Sequence, residues 1–276
     1  MSKLVQTTTS DRLSFQGNYV PSGDKKVAVL HIHGFGGNYC EPKALILAQE
    51  LEKAGIGFLS VNTRGTGDGS RDERLEEAHL DITAWLKLLI GEGYKEIGLQ
   101  GHSAGTVKVV RYLFEGELKD KVNKLILISP IDPLGFRTAK GRGDIEGFLR
   151  KAQMKINEGR GEELITPDFD HDIISYQTFV SWYRRDDLGR CFEFCDSGYD
   201  FPVLKMIKIP TKIIVGSQDE YFHPSNPGHP EEAMAILLKY FPNAEGIIID
   251  GANHSFKGHE INVAKEVVKW VNRSDL

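Results

Sequence analysis

Six short apolar runs, rich in β-branched residues and separated for the most part by helical patterns, constrain this chain more than any other feature. They are VAVLHI (27–32), GFLSVN (57–62), EIGLQ (96–100), KLILIS (124–129), TKIIVG (211–216) and EGIIID (245–250). Continuous runs of this kind suit strands covered on both faces, as in a parallel sheet; a half-solvated strand would alternate polar and apolar residues. Between the first two, EPKALILAQELEKAG has Pro42 near its start and Gly55 at its end, the asymmetry expected of a helix. Leu75, Ala78, Ile82, Trp85, Leu86 and Leu89 recur at helical spacing, as do Val107, Val110, Leu113 and Phe114. Strand and helix in alternation imply βαβ units, and hence an α/β fold with a mostly parallel central sheet and helices on both faces. RLSFQGNYV, within the first twenty residues, is a candidate antiparallel edge pair.

One stretch breaks the alternation. Residues 131–208 contain no clear strand and mix charge, aromatics and glycine. That is too long for an ordinary connection, so the segment is expected to carry helices of its own and to cap the sheet edge. The core is then 1–130 with 209–276, and the cap 131–208. Tyr176, Phe179, Trp182, Tyr183, Phe192 and Phe194 either line an apolar pocket beneath this cap or form its own core.

Gly101-His102-Ser103-Ala104-Gly105 follows the run EIGLQ and precedes a helical pattern. A serine between glycines in a strand, turn, helix context has the form of a nucleophile elbow, with the flanking glycines letting strand and helix approach closely. A serine hydroxyl does not ionise near neutral pH, so nucleophilic use requires a base and an acid to orient that base. Both follow in the required order. Asp219 comes after TKIIVGSQ, and His254 lies in DGANHSF between the last strand run and the last helix. Asp250 and Asp132 are rivals for the acid, Asp250 being better suited to capping its turn. The developing oxyanion needs backbone donors, for which Phe35 in HGFGG (33–37) and Ala104 are the candidates. Such a donor is typically worth about 3–4 kcal/mol of transition-state stabilisation. His102 is expected to point away from the nucleophile and serve in packing or hydrogen bonding. His31 and His33 are placed to steady the HGFGG loop, and NTRGTGDGSRDE is read as a solvated turn bordering the entrance.

Charge and composition narrow the partners. The chain has 276 residues, 40% apolar and 26% charged, with 34 basic against 39 acidic side chains and no long basic cluster. Nucleic acid is therefore not an expected partner. No apolar run reaches the length of a membrane span, and the polar MSKLVQTTTSDRLSFQG has no apolar signal core, so a cytoplasmic location is expected. Cys40, Cys191 and Cys195 form an odd set without a CxxC pair, which fits a reducing compartment. His223 with His229, and the acidic DFDHD (168–172), could ligate a cation but are better read as solvent-exposed loops.

Together HGFGG, GHSAG, SQDEY and GANHSF span most of the chain from residue 27 onward, and in them the sequence resembles the α/β-hydrolase superfamily. The resemblance implies a Ser103, Asp219, His254 triad beneath a cap. EGRGEELITP (158–167), with QDEY and NHS, is similar to the hydrolase group that includes fungal siderophore esterases, and feruloyl esterases share the HGFGG arrangement. Only the triad carries over, not a siderophore substrate. The resulting expectation is a carboxylic-ester hydrolase acting on small to medium acyl or aryl esters, with no cofactor and with homodimerisation left open. A serine peptidase or a thioesterase would use the same residues, and a non-catalytic binding protein on a hydrolase fold is the alternative from another class.

Overall fold

The computed structural model describes residues 1–135, 144–165, 173–184, 186–194, 196, 198–221 and 230–273. Eight strands form one sheet in the order β1-β2-β4-β3-β5-β6-β7-β8. They are β1 (Lys3–Thr8), β2 (Ser14–Val20), β3 (Val27–Ile32), β4 (Gly57–Val61), β5 (Glu96–His102), β6 (Lys124–Ile128), β7 (Thr211–Gly216) and β8 (Ala244–Ile249). From β4 through β8 every pairing is parallel, whereas β1 and β2 join antiparallel at one edge. All six apolar runs are strands, and residues 3–20 supply the antiparallel pair. Every residue of β3, β4, β6 and β7 is buried, as two-sided cover requires, while edge strand β8 is mostly half-exposed.

The helices are α1 (Pro42–Lys53), α2 (Ala78–Gly91), α3 (Ala104–Glu115), α4 (Ile145–Asn157), α5 (Tyr176–Tyr183), α6 (Pro202–Met206), α7 (Pro230–Tyr240) and α8 (Glu260–Val271). Leu47 and Leu51 of α1 and Val263, Val267 and Trp270 of α8 share one apolar cluster with Val29, Ile126 and Ile214 of the sheet. Trp85 and Leu89 of α2, Val107 and Val110 of α3 and Leu237 of α7 pack against Leu30, Leu99, Leu127 and Ile213 on the opposite face. Alternating side chains of one strand thus enter different cores.

Between β6 and β7 the chain leaves the sheet. Helices α4 and α5 build a small cluster of their own from Ala152, Ile165, Ile174 and Phe179, and a single bridge pairs Leu164 with Ser175. Asp144 accepts from the Gly147 N–H at the start of α4, and Ser175 from the Thr178 N–H at the start of α5. Further on, Trp182, Cys191, Phe192, Phe194, Phe201 and Leu204 join the principal core. Among the described residues, α4 and the start of α5 thus form a satellite, while the stretch from Trp182 to Leu204 packs against the sheet's own core.

Candidate active site

Ser103 links β5 to α3 with φ 54° and ψ −127°. That left-handed backbone is costly for a residue with a side chain, about 1–3 kcal/mol, and is held by its surroundings. The Ser103 N–H donates to the Ile128 carbonyl at 3.0 Å, and the Ser103 carbonyl accepts from the Thr106 N–H at 2.8 Å. A side chain at Gly101 would meet the Gly105 carbonyl oxygen at 2.4 Å, and one at Gly105 would meet that of Ile32 at the same distance. Both glycines of GHSAG are thus imposed by close backbone approach.

Two later loops converge on this serine. His254 Nε2 lies 2.8 Å from Ser103 Oγ, and its Nδ1 lies 2.8 Å from Asp219 Oδ1. The three groups, separated by as many as 151 positions in sequence, form one hydrogen-bonded chain. Asp219 is 1% exposed, and its Oδ1 also accepts from the Tyr221 N–H at 3.0 Å. The Tyr221 ring packs against the imidazole of His254, centroids 4.4 Å apart. Glu220 Oε2 accepts from the His254 N–H at 3.0 Å. Sequence reading missed Glu220 and Tyr221, whose signal is their position directly after Asp219. The rival acids bond elsewhere: Asp132 Oδ1 accepts from the Gly135 N–H, and Asp250 Oδ1 from the Ser217 hydroxyl.

The HGFGG loop lies against the same serine, since a side chain at Gly34 would approach Ser103 Cβ to 2.9 Å. Phe35, next in the loop, and Ala104 both border the cleft. Ala104 is the first residue of α3, so its N–H has no carbonyl one turn back within the helix. His33 holds this loop. Its Nδ1–H donates to the Gly34 carbonyl at 2.6 Å, leaving Nε2 to accept from the Thr66 and Thr63 hydroxyls at 2.9 and 3.1 Å. Burial, with help from the Lys108 charge, pushes its pKa well below the usual histidine value, consistent with that neutral form. His31 has a different post: its Nδ1 accepts from Gln100 Nε2 at 2.7 Å, and its ring stacks on Phe58 inside the sheet layer.

The charged loop after β4 is the expected solvated turn only in part: Asp68 and Asp72 are exposed, but Arg64 and Glu73 are turned inward. Gly36 pairs with Thr66, and the Gly67 N–H donates to the Gly36 carbonyl at 3.1 Å, so the loop braces HGFGG. The Arg64 side chain is only 7% exposed, with its guanidinium 2.9 Å from the fully buried Asp81 carboxylate. Glu73 and Lys108, both 0% exposed, form an ion pair at 2.5 Å, and Trp182 Nε1 donates to the Glu73 carbonyl. Arg64 and Glu73 thus face inward to partners on α2 and α3 that no local pattern reveals.

Ser103 and His254 open into a cavity of about 430 Å³. One wall is apolar, built from Ile131, Pro133, Ile174, Trp182 and Tyr183; the other carries Glu41, Lys43, His102 and Glu220. Of the six aromatic residues singled out in sequence, Trp182 and Tyr183 reach this wall. Phe179 belongs to the α4–α5 cluster with Tyr176 packed on it, and Phe192 and Phe194 to the principal core. Cys191 is buried and Cys40 exposed. Cys195, His223, His229 and DFDHD lie outside the described residues. Among the described residues no helix is long and apolar enough to cross a membrane.

Comparison with known proteins agrees with this architecture. The chain belongs to the alpha/beta hydrolase family, whose model matches residues 29–261. No curated protein sequence matches it. Among solved structures, Est1E from Butyrivibrio proteoclasticus with bound ferulic acid is 19% identical, with TM-score 0.69 over 97% of this chain and 98% of that one. The Pyrococcus furiosus esterase Pf2001 is 20% identical, with TM-score 0.62 over 99% and 91%. A thermostable carboxyl esterase from Bacillus coagulans in complex with glycerol is 14% identical, with TM-score 0.71 over 98% of each. At these identities the likeness is one of fold.

Proposed function

We propose that this protein is a serine hydrolase that cleaves carboxylic esters of small to medium acyl or aryl groups through an acyl-enzyme. The observation that carries the reading is the unbroken chain Ser103 Oγ, His254, Asp219, with 2.8 Å at both links. Ser103 Oγ attacks the acyl carbon as His254 Nε2 takes its proton. The tetrahedral oxyanion is received by the Phe35 and Ala104 N–H groups. When the C–O bond breaks, the imidazolium returns the proton to the departing alkoxide. Water then repeats the sequence: His254 removes its proton, the hydroxyl adds to the acyl carbon, and Ser103 leaves with the proton restored. Asp219 accepts from Nδ1–H throughout and so keeps Nε2 facing the serine.

Residues 131–208 act in this reading as a cap that supplies the apolar wall. Trp182 and Tyr183, in a space of about 430 Å³, suit a small aryl or branched acyl group, of the size of the ferulic acid bound by the Butyrivibrio protein. The test is hydrolysis of p-nitrophenyl esters from acetate to decanoate by wild type and Ser103→Ala, with a thioester and an amide of one acyl group alongside. The expected result is ester turnover with an optimum at short or medium chain length, lost in the variant. Faster turnover of the thioester or amide would move the assignment to a thioesterase or peptidase. No turnover, together with no organophosphonate labelling of Ser103, would favour a binding protein on this fold.

A further inference from the structure

The base of this site sits on a loop, and the loop is tied through both backbone groups of one residue. His254 belongs to the connection between β8 and α8, where no strand or helix fixes its backbone. Its N–H donates to Glu220, one residue from Asp219. Its carbonyl accepts from His102 Nε2 at 3.0 Å, and His102 is covalently adjacent to Ser103. The backbone of the base is therefore bonded to the neighbour of the acid on one side and to the neighbour of the nucleophile on the other.

This second tie depends on which nitrogen of His102 carries the proton. A carbonyl can only accept, so Nε2 must be protonated. Lys43 Nζ, from the first turn of α1, lies 2.7 Å from His102 Nδ1 and 3.3 Å from Nε2, and 3.2 Å from Glu41 Oε2. The ammonium is nearer Nδ1 than Nε2 and so opposes a proton at Nδ1 more strongly, which favours the neutral Nε2–H form that the carbonyl requires. Burial and the Lys43 charge, with smaller contributions from His254 and His31, hold His102 well below the usual histidine pKa, in keeping with that form. The imidazoles of His102 and His254 lie 5.1 Å apart between centroids, so a shift of one ring is felt by the other.

We propose that His102, with its tautomer set by Lys43, is a positioning residue that holds His254 Nε2 on Ser103 Oγ by fixing the His254 carbonyl. The inference rests on the reading of Ser103 as a nucleophile and His254 as its base. Loss of the tie lets the His254 peptide rotate, and a misplacement of about 1 Å in reacting groups can cost on the order of a hundredfold in rate.

The experiment compares full-length wild type with His102→Leu, His102→Gln and Lys43→Met. The measured quantities are kcat and KM on the best p-nitrophenyl ester, the rate of Ser103 labelling by an organophosphonate, and the thermal midpoint. Leucine keeps bulk but has no donor, whereas glutamine can donate to the carbonyl and accept from lysine. His102→Leu should lower kcat and the labelling rate about 10- to 100-fold with KM within about threefold. His102→Gln should restore both rates to within about fivefold of wild type, and Lys43→Met should lower both about three- to tenfold. Wild-type rates in His102→Leu or Lys43→Met would overturn the proposal. So would equal losses in the leucine and glutamine variants at an unchanged thermal midpoint, because the ring itself and not its N–H would then matter. If the leucine variant does not fold, the glutamine and Lys43→Met rates decide by the same criteria. A wild type with neither ester turnover nor phosphonate labelling overturns the nucleophile reading first, and the positioning role with it.

Discussion

Asp219 Oδ1 accepts from both His254 Nδ1 and the Tyr221 N–H, so one carboxylate oxygen fixes the imidazole and the turn that carries the acid. An amide at this position keeps the shape but can present N–H2 to Nδ1, which then becomes an acceptor and sends the ring proton to Nε2, the wrong side. Asp219→Asn should therefore lower kcat by about 10³- to 10⁴-fold with little change in thermal midpoint. A variant retaining more than a tenth of wild-type kcat would remove Asp219 from the proposed mechanism. Ser103 was legible as a candidate because two glycines and a strand–turn–helix context are local signals. Glu220 and Lys43 were not, since a single carboxylate in a loop or a single ammonium in the first turn of a helix has no periodicity, and their contacts exist only once the sheet brings the ends of β5, β7 and β8 and the start of α1 together.

At the scale of elements, the connection from β4 to α2 is anchored by two inward-facing charges, Arg64 and Glu73. The Glu73–Lys108 pair joins this connection to α3, the helix that starts directly after Ser103, while the Glu73 carbonyl receives Trp182 from α5. Removing one member of a fully buried ion pair leaves an uncompensated charge, which typically costs about 3–5 kcal/mol. Glu73→Leu should lower the free energy of unfolding in urea by that amount, and adding Lys108→Met should recover most of it. If the single variant is as stable as wild type, the pair does not hold the connection. NTRGTGDGSRDE is polar throughout and so reads as solvated, which holds for Asp68 and Asp72 but not for Arg64 and Glu73. Composition reports the cost of burying a charge, and only the partner's location says whether that cost is met.

Across the whole molecule, three histidines are held neutral inside the fold around the site. Burial lowers His31 to about 3, with the Lys43 charge adding to the effect, and lowers His33 and His102 well below the usual value. In the unfolded chain each titrates near about 6.5. Below that pH the unfolded state binds protons that the folded state refuses, so the contribution to stability is complete above about pH 6.5 and is lost as pH falls towards the depressed folded values. The slope is up to about 1.4 kcal/mol per pH unit for each histidine. Urea midpoints should consequently drop between pH 8 and pH 5, and His31→Leu should flatten part of that drop. A stability independent of pH over this range would show that these rings gain compensating partners on protonation.

What the sequence determined by itself was the alternation of strands and helices in the core and the order in which Ser103, Asp219 and His254 follow its strands. Strands buried on both faces must be apolar throughout, helices must repeat near 3.6 residues, and a serine on an elbow needs glycines beside it, so each of these leaves a local mark. Tertiary structure decided the rest. It placed Asp219, and not Asp132 or Asp250, within 2.8 Å of His254 Nδ1, and turned Arg64 and Glu73 of the charged connection inward. It also divided the described residues that link β6 to β7 between a satellite cluster and the principal core, and set His102 and Glu220 on the backbone of His254 with Lys43 beside His102. Such choices depend on distances between residues far apart in the chain, and no spacing or composition encodes those distances until the sheet has brought its carboxyl ends together.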